Sequence, residues 1–267
     1  MRAWASTYRA GMTYLSQLFS LDGRVAVVTG GSSGIGRAIA AALARAGASV
    51  VIVARREAEL AATVEELTAA GCRTDWVSAD LSSRDGVRTA AEAAARPFGE
   101  PDILVSSAGI NLRPPLGEMT DDVWDATMAL NLDAPYLLGQ RYASGMAERG
   151  YGRLIHISSQ QAHRAFVSSG AYGVSKGALE SLARSQAEAW SRHGVTSNTL
   201  VPGFVMTPLN ARLSSDPQRV AELAARTMVG RNGLADDFAG VAVLLASPAS
   251  GYITGQAIFV DGGFSVH

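Results

Sequence analysis

Tyr172 and Lys176 stand four residues apart in Ala171-Tyr172-Gly173-Val174-Ser175-Lys176, at the start of a stretch with helical apolar spacing. On a helix that spacing puts a phenol and an ammonium on one face. The chemistry open to such a pair is proton transfer. A free tyrosine titrates near ~10, and a cation held a few ångströms away favours the phenolate and lowers that value. A Tyr and a Lys four apart are also a common solvated surface pair, so the remaining residues must decide whether a site surrounds them.

A second constellation lies far upstream. Thr29-Gly30-Gly31-Ser32-Ser33-Gly34-Ile35-Gly36 follows a β-branched run and opens an alanine-rich helical stretch. Backbone N–H groups and the helix dipole at such a turn can face a pyrophosphate, and glycines let phosphates approach closely. The spacing is G-x-x-x-G-x-G rather than G-x-G-x-x-G, and a plain tight connection is the alternative. Where an acidic side chain would bind an adenosine ribose at the end of the second strand, the chain has Ala54 followed by Arg55 and Arg56. Two guanidinium groups there favour a 2′-phosphate, hence NADP(H) over NAD(H), unless they are exposed helix-start arginines. Asp80, before Leu81, either accepts from an adenine amino group or caps the next turn. Ser106-Ser107-Ala108-Gly109 are small enough for a ribose to pass the backbone, although a tight turn explains them as well.

The elements that must position these groups follow from periodicity. Short β-branched runs at 24–28, 49–53, 74–78, 103–106, 152–157, 196–200 and 257–260 alternate with stretches of three- and four-residue apolar spacing at 35–46, 57–70, 84–95, 122–148, 171–193 and 236–246. This predicts an α/β doubly wound fold of about seven parallel strands with helices on both faces. The long irregular stretch from Pro202 to about Arg219 reads as a lid. No linker divides the chain, so residues 21–267 read as one domain. Residues 1–20, with Arg2, Arg9 and no acidic side chain, carry Trp4, Tyr8, Met12, Leu15 and Phe19 at helical spacing. They read as an N-terminal extension, a docking helix or mobile arm, with a cleaved targeting segment as the alternative.

Composition limits the partners. The 267 residues are 48% hydrophobic with a net charge of −1, enough for a full core and without the positive excess that nucleic acid or an anionic membrane surface requires. No apolar run reaches the ~18 residues of a membrane span, so a cytoplasmic setting is the expectation. The single cysteine, Cys72, reads as a bystander thiol, and the isolated His156, His193 and His267 suggest no metal site.

With the glycine turn, the Tyr172/Lys176 pair and Asp261-Gly262-Gly263 all present, the chain resembles a single-domain short-chain dehydrogenase/reductase from about Leu21 to Gly263. The resemblance implies a Rossmann-type fold and a catalytic tetrad. Its other members would be Ser159, thirteen residues before the tyrosine, and Asn131 on the preceding helix. It also implies that Pro202, Gly203, Val205 and Thr207 meet the nicotinamide, and that the protein is a homotetramer. The family usually has Asn-Asn-Ala-Gly where this chain has Ser106-Ser107-Ala108-Gly109, so the side-chain bracing there must differ. In the implied reaction Tyr172 is general acid in ketone reduction and base in alcohol oxidation, and Ser159 bonds the same oxygen. Lys176 would lower the phenol pKa and hold the nicotinamide ribose, with Asn131 holding a water beside it.

The substrate is a small carbonyl or alcohol compound. Arg113, Gln160, Gln161, His163, Phe204, Met206 and Leu209 are its expected neighbours. The stretch around Arg113 is similar to that of sugar-acid dehydrogenases in the family, with a solvent-facing arginine as the alternative. A 3-oxoacyl thioester reductase is the rival within the same reaction type. A non-catalytic NADP-sensing protein is the rival from another class, disfavoured by an intact proton-transfer set.

Overall fold

The computed structural model describes residues 13–267. Of the apolar positions expected to form an N-terminal helix, Trp4, Tyr8 and Met12 lie outside the described residues. Leu15 and Phe19 fall in α1 (Tyr14–Phe19), which Thr13 caps by accepting from Ser16 N–H. Seven strands follow, β1 (Val25–Thr29), β2 (Ser49–Ala54), β3 (Thr74–Ser78), β4 (Ile103–Ser106), β5 (Gly152–Ile157), β6 (Val195–Pro202) and β7 (Ala257–Val260). They form one parallel sheet in the order β3-β2-β1-β4-β5-β6-β7. The order reverses between β1 and β4, and the carboxyl ends of those strands open the crevice in which such sheets bind ligands.

The sheet is covered on both faces, which is why β1, β2 and β4 are largely apolar rather than alternating, while β5 and β6 bury polar residues such as Arg153, His156 and Asn198. Ala26, Val28, Val50, Ile52, Ile103 and Val105 pack on one side against α2 (Gly34–Arg45), α3 (Glu57–Ala69) and, late in the chain, the helix Ala239–Ala246. Val27, Val51, Val53, Leu104 and Leu154 meet α4 (Arg84–Ala94) and the helix Ala134–Glu148 on the other.

Several expectations need correction. The stretch 122–148 is not one helix: α5 (Asp121–Met128) passes into a π-helical segment, Ala129–Asp133, and then into α6 (Ala134–Glu148). Pro135 lacks the N–H that would bond the Asn131 carbonyl in a regular helix, and the ladder shifts so that Ala134 N–H reaches Ala129 O. The catalytic-looking pair lies on α7 (Gly170–Trp190), which ends through a 3₁₀ turn at Gly194 (φ 82°). The supposed irregular lid contains α8 (Ala211–Ser214) and α9 (Pro217–Ala225), the latter capped by Asp216, which accepts from Gln218 and Arg219 N–H. An Asp before a proline at the first helical position is a helix-start signal that the loop composition hid. The last helix, α10 (Ala239–Ala246), is preceded by a 3₁₀ turn. Trp190, the last residue of α7, is half-buried against the core. Among the described residues no helix is long and apolar enough to cross a membrane, and no cluster of His, Cys, Asp or Glu could hold a metal ion.

Candidate active site

Behind the glycine turn the fit is set by backbone. Gly30 (φ 69°) donates to Val53 O at 2.8 Å, and a Cβ there would lie 2.8 Å from Ala108 N. A Cβ on Gly36 would lie 2.4 Å from Gly30 O, so the turn closes on itself only with glycine. Thr29 Oγ1 accepts from Ser107 N–H (3.1 Å) and Ala108 N–H (3.2 Å), bracing the loop after β4 with a threonine from β1. Ser107 stands against Gly36, and the buried Ser106 hydroxyl has no partner. Ser33 precedes α2 without a side-chain cap, and the first turn has no acidic residue. The first-turn N–H groups of Gly34, Ile35 and Gly36, which line the cleft with Gly30, Ser32 and Ser33, therefore retain their capacity for an anion.

Further along the cleft, Arg55 is exposed and makes no ion pair among the described residues, while Arg56 pairs with Glu59 at 2.9 Å. Asp80 lines the cleft and also caps its turn, accepting from Ser82 N–H at 3.0 Å, with Leu81 buried behind it. The turn-capping reading of Asp80 is therefore observed, and its place on the cleft wall leaves an adenine contact open to the same side chain. A dinucleotide with a 2′-phosphate fits this set: glycines where a side chain would fill the cradle, uncapped N–H groups and a free guanidinium.

Ser159, Tyr172 and Lys176 converge where β5 ends beneath α7, and all three are buried. Ser159 Oγ accepts from Gln161 N–H at 3.2 Å, which leaves its own proton to donate. Burial pushes the Tyr172 phenol up to about 12, with a hydrogen bond to Ser159 and the Arg113 charge acting in the opposite direction. The expectation that Lys176 lowers this value does not hold for the protein alone. Burial also pulls Lys176 down to about 8, and its Nζ donates to Ile157 O at 2.7 Å while standing 5.6 Å from the Tyr172 ring centre. Desolvation dominates both shifts, and neither group is a cause of the other's.

Asn131 is fully buried. Its Oδ1 accepts from Ile110 N–H (2.9 Å), and its Nδ2 donates to Ile110 O (3.0 Å) and Ser175 Oγ (3.1 Å). Both amide protons are in use, so the side chain braces the loop after β4 against α7 rather than offering a donor to water. At Gly109 an added Cβ would lie 3.1 Å from Asn131 Oδ1 and 3.8 Å from Lys176 Nζ, so glycine keeps that approach clear.

The cleft, of about 720 Å³, continues from these groups to the lid. Pro202, Gly203, Phe204, Val205, Thr207 and Leu209 line it, as do Arg113, Gln160 and Gln161. His163 and Met206 do not. Met206 is half exposed, and His163 turns away to Glu180 and Phe259. Arg113 is held across the mouth by the carbonyls of Val167 and Ser168 (3.2 Å to the latter). Gln161 Oε1 accepts from Ser169 Oγ at 2.8 Å. Phe166 and Val167 and, from α8 and α9, Leu213, Arg219 and Leu223 were not foreseen. Leu213 and Arg219 fall within the stretch read as a lid and the Asp216-Pro217 helix start signals α9, whereas Phe166 and Val167 had no local signal because their partners lie far away along the chain.

A family model described as enoyl-(acyl carrier protein) reductase matches residues 30–265. Gluconate 5-dehydrogenase of Gluconobacter oxydans (strain 621H) is 38% identical over 249 residues, covering 93% of this chain and 97% of that protein. The 2-dehydro-3-deoxy-D-gluconate 5-dehydrogenase of Escherichia coli (strain K12) is 36% identical over 247 residues, covering 92% and 97%. The crystal structure of a gluconate 5-dehydrogenase from Burkholderia cenocepacia J2315 in complex with NADP and tartrate superimposes with a TM-score of 0.90 at 37% identity, covering 95% of this chain and 100% of that one. Matches of this extent, on a sheet whose switch point carries the glycine turn and whose fifth strand meets Tyr172 and Lys176, make the chain a member of the short-chain dehydrogenase/reductase family.

Proposed function

We propose that this protein is an NADP(H)-dependent oxidoreductase that interconverts a secondary alcohol and a ketone on a small polyhydroxylated acid. The observation that carries the reading is the meeting of Ser159, Tyr172 and Lys176 in the same cleft as the Gly30–Gly36 turn and the unpaired Arg55. When bound, the nicotinamide supplies the hydride chemistry. Tyr172 gives its proton to the substrate oxygen in reduction and takes it back in oxidation, and the Ser159 hydroxyl donates to the same oxygen. Lys176 lies one helical turn from Tyr172 and serves the nicotinamide ribose. Asn131 holds the loop carrying Gly109 in register with α7. Arg55 meets the 2′-phosphate.

The substrate class rests on the polar residues that line the cleft. Gln160 is 5% exposed and its Oε1 is buried without a partner, as is Asn111 Oδ1. Those two oxygens have no surface open to the cleft; the amide residues Asn111, Gln160 and Gln161 nevertheless line it beside Arg113, a lining that suits the hydroxyl groups of a sugar acid better than the methylenes of an acyl chain. The positive charge of Arg113, close enough to oppose the rise in the Tyr172 pKa, suits an anionic substrate. The relatives named for gluconate and its dehydro-deoxy derivative, and the tartrate in the Burkholderia structure, support the same class. Half-exposed Trp124, Tyr136 and Val174 on α5, α6 and α7 support association into a homotetramer. The proposed setting is cytoplasmic, with residues 21–267 as one catalytic domain behind the 1–20 extension.

The test is NADPH turnover against sugar-derived keto acids, simple ketones and 3-oxoacyl thioesters, in the natural protein and in Gln160→Leu. The keto acids should be the best substrates. The variant should lose about 10- to 100-fold in kcat/KM on them, the worth of an unpaired buried polar group, and little on simple ketones. Equal losses on both would remove Gln160 from recognition, and acyl thioesters as best substrates would overturn the class.

A further inference from the structure

One buried carboxylate stands behind the catalytic turn without touching the cleft. Glu180, one helical turn beyond Lys176 on α7, is 5% exposed. Its Oε1 accepts from Ser158 Oγ at 2.6 Å, and His163 Nε2 lies 2.9 Å from Oε2 and 3.0 Å from Oε1. Ser158 and His163 bracket the turn that carries Ser159, Gln160 and Gln161. Ser158 is the last residue tied to the sheet, through its N–H to Leu200 O at 2.8 Å, and His163 closes the turn through its N–H to Gln160 O at 3.1 Å. Ser158 Oγ also lies 3.4 Å from the Lys176 carbonyl. A single carboxylate thus holds both ends of the turn and fixes them to the helix that bears Tyr172.

A carboxylate is buried at this depth only where its partners repay its desolvation, and removing one partner strands the charge. No part of the proton transfer above uses this group, and plain packing would be met by an apolar residue at the same position. We propose that Glu180, clasped by Ser158 and His163, is a positioning residue. It sets the distance and direction of the Ser159 hydroxyl relative to Tyr172. This rests on the reading that Ser159 bonds the reacting oxygen. His163, expected at the substrate, acts instead as the outer jaw of the clamp, with its side chain 39% exposed and its ring 4.9 Å from Phe259.

The experiment is a double-mutant cycle of Glu180→Gln and Ser159→Ala, read as kcat, KM for substrate and NADPH affinity from nucleotide fluorescence. Glu180→Gln keeps the shape and removes the charge. It should lower kcat about tenfold and leave NADPH affinity within about twofold. If Glu180 acts through Ser159, adding Glu180→Gln to Ser159→Ala should cost less than about twofold more. The inference is overturned if Glu180→Gln keeps its kcat, or if it loses the same factor in both backgrounds. Full kcat in Ser159→Ala alone would instead overturn the reading beneath it. Should Glu180→Gln fail to fold, His163→Ala and His163→Gln in the same two backgrounds decide. His163→Ala should lower kcat and His163→Gln, which keeps a donor, should restore it; unchanged kcat in His163→Ala overturns the clamp.

Discussion

The two ends of the cleft are built by different means. At the Gly30–Gly36 end the shape comes from backbone: two glycines stand where any Cβ would strike main chain, and a threonine hydroxyl holds the neighbouring loop by its N–H groups. At the substrate end the shape comes from side chains that reach across the fold, with Arg113 on the carbonyls of residues 167 and 168 and Gln161 on Ser169. The first construction tolerates little change and accepts one kind of ligand. The second can be rebuilt by altering a few contacts, which is how one scaffold can serve different alcohols and ketones.

The largest expected effect separates the ends outright. Tyr172→Phe should lower kcat by about 10²- to 10⁴-fold, the usual worth of a positioned general acid, with NADPH affinity unchanged. Fluorescence titration beside turnover checks both, and a parallel loss of nucleotide binding would mean that the two ends are not separable. Next comes the pH profile. Oxidation needs the phenolate, and burial pushes Tyr172 up to about 12. The base form therefore grows with pH throughout the neutral range, and kcat/KM for alcohol oxidation should rise about tenfold per pH unit from 7 to 9. Ketone reduction uses the protonated phenol and should show no such rise over that window, and any fall there would report Lys176, which burial pulls down to about 8. A plateau in oxidation near pH 7 would show that bound nucleotide and Lys176 reverse the effect of burial.

Gly36→Ala tests the backbone end. Alanine is better than glycine within a helix by about 1 kcal/mol, so propensity alone predicts a gain. The 2.4 Å approach to Gly30 O predicts a loss of about 1–3 kcal/mol of stability, as overpacking costs elsewhere, together with weaker NADPH binding. Denaturant melts and nucleotide titration distinguish them, and a stabilised variant with intact binding would show that the turn can yield.

The same contrast accounts for what the sequence made legible. Every strand was found, β1, β2 and β4 through the apolar runs that both-face burial leaves and the polar β3 and β6 through their place in the alternation of strands and helices, and the glycine turn was found because its requirement is local. Tyr172 and Lys176 were readable as a pair from helix geometry alone. The residues that did not read out depend on distant partners: Phe166 and Val167 enter the cleft because Arg113 and Phe264 hold their loop. His163 leaves it because Glu180, seventeen residues on, offers a buried carboxylate. Asn131 was identified through the family pattern, but its bracing of Ile110 depends on a segment 21 residues earlier. The burial that pushes the Tyr172 pKa up was not foreseen, because charge is visible in a sequence and burial is not.

The last expected effect concerns a charged side chain at the rigid end. Arg55 is exposed, lines the cleft and has no carboxylate partner among the described residues, whereas its neighbour Arg56 is engaged by Glu59. A guanidinium without an internal partner can give its full fork to a phosphate, so Arg55 and not Arg56 should carry the preference for NADP(H). Arg55→Asp should move selectivity toward NAD(H) by about 1–3 kcal/mol, and Arg56→Ala should move it by much less because its charge is already shared. The ratio of kcat/KM for NADPH and NADH in each variant measures this, with kcat at saturating nucleotide expected to hold in both. If Arg56→Ala shifts the ratio as far as Arg55→Asp, the exposed Arg56–Glu59 pair is too weak to withhold Arg56 from the phosphate, as surface ion pairs often are. The two arginines would then act as a joint clamp.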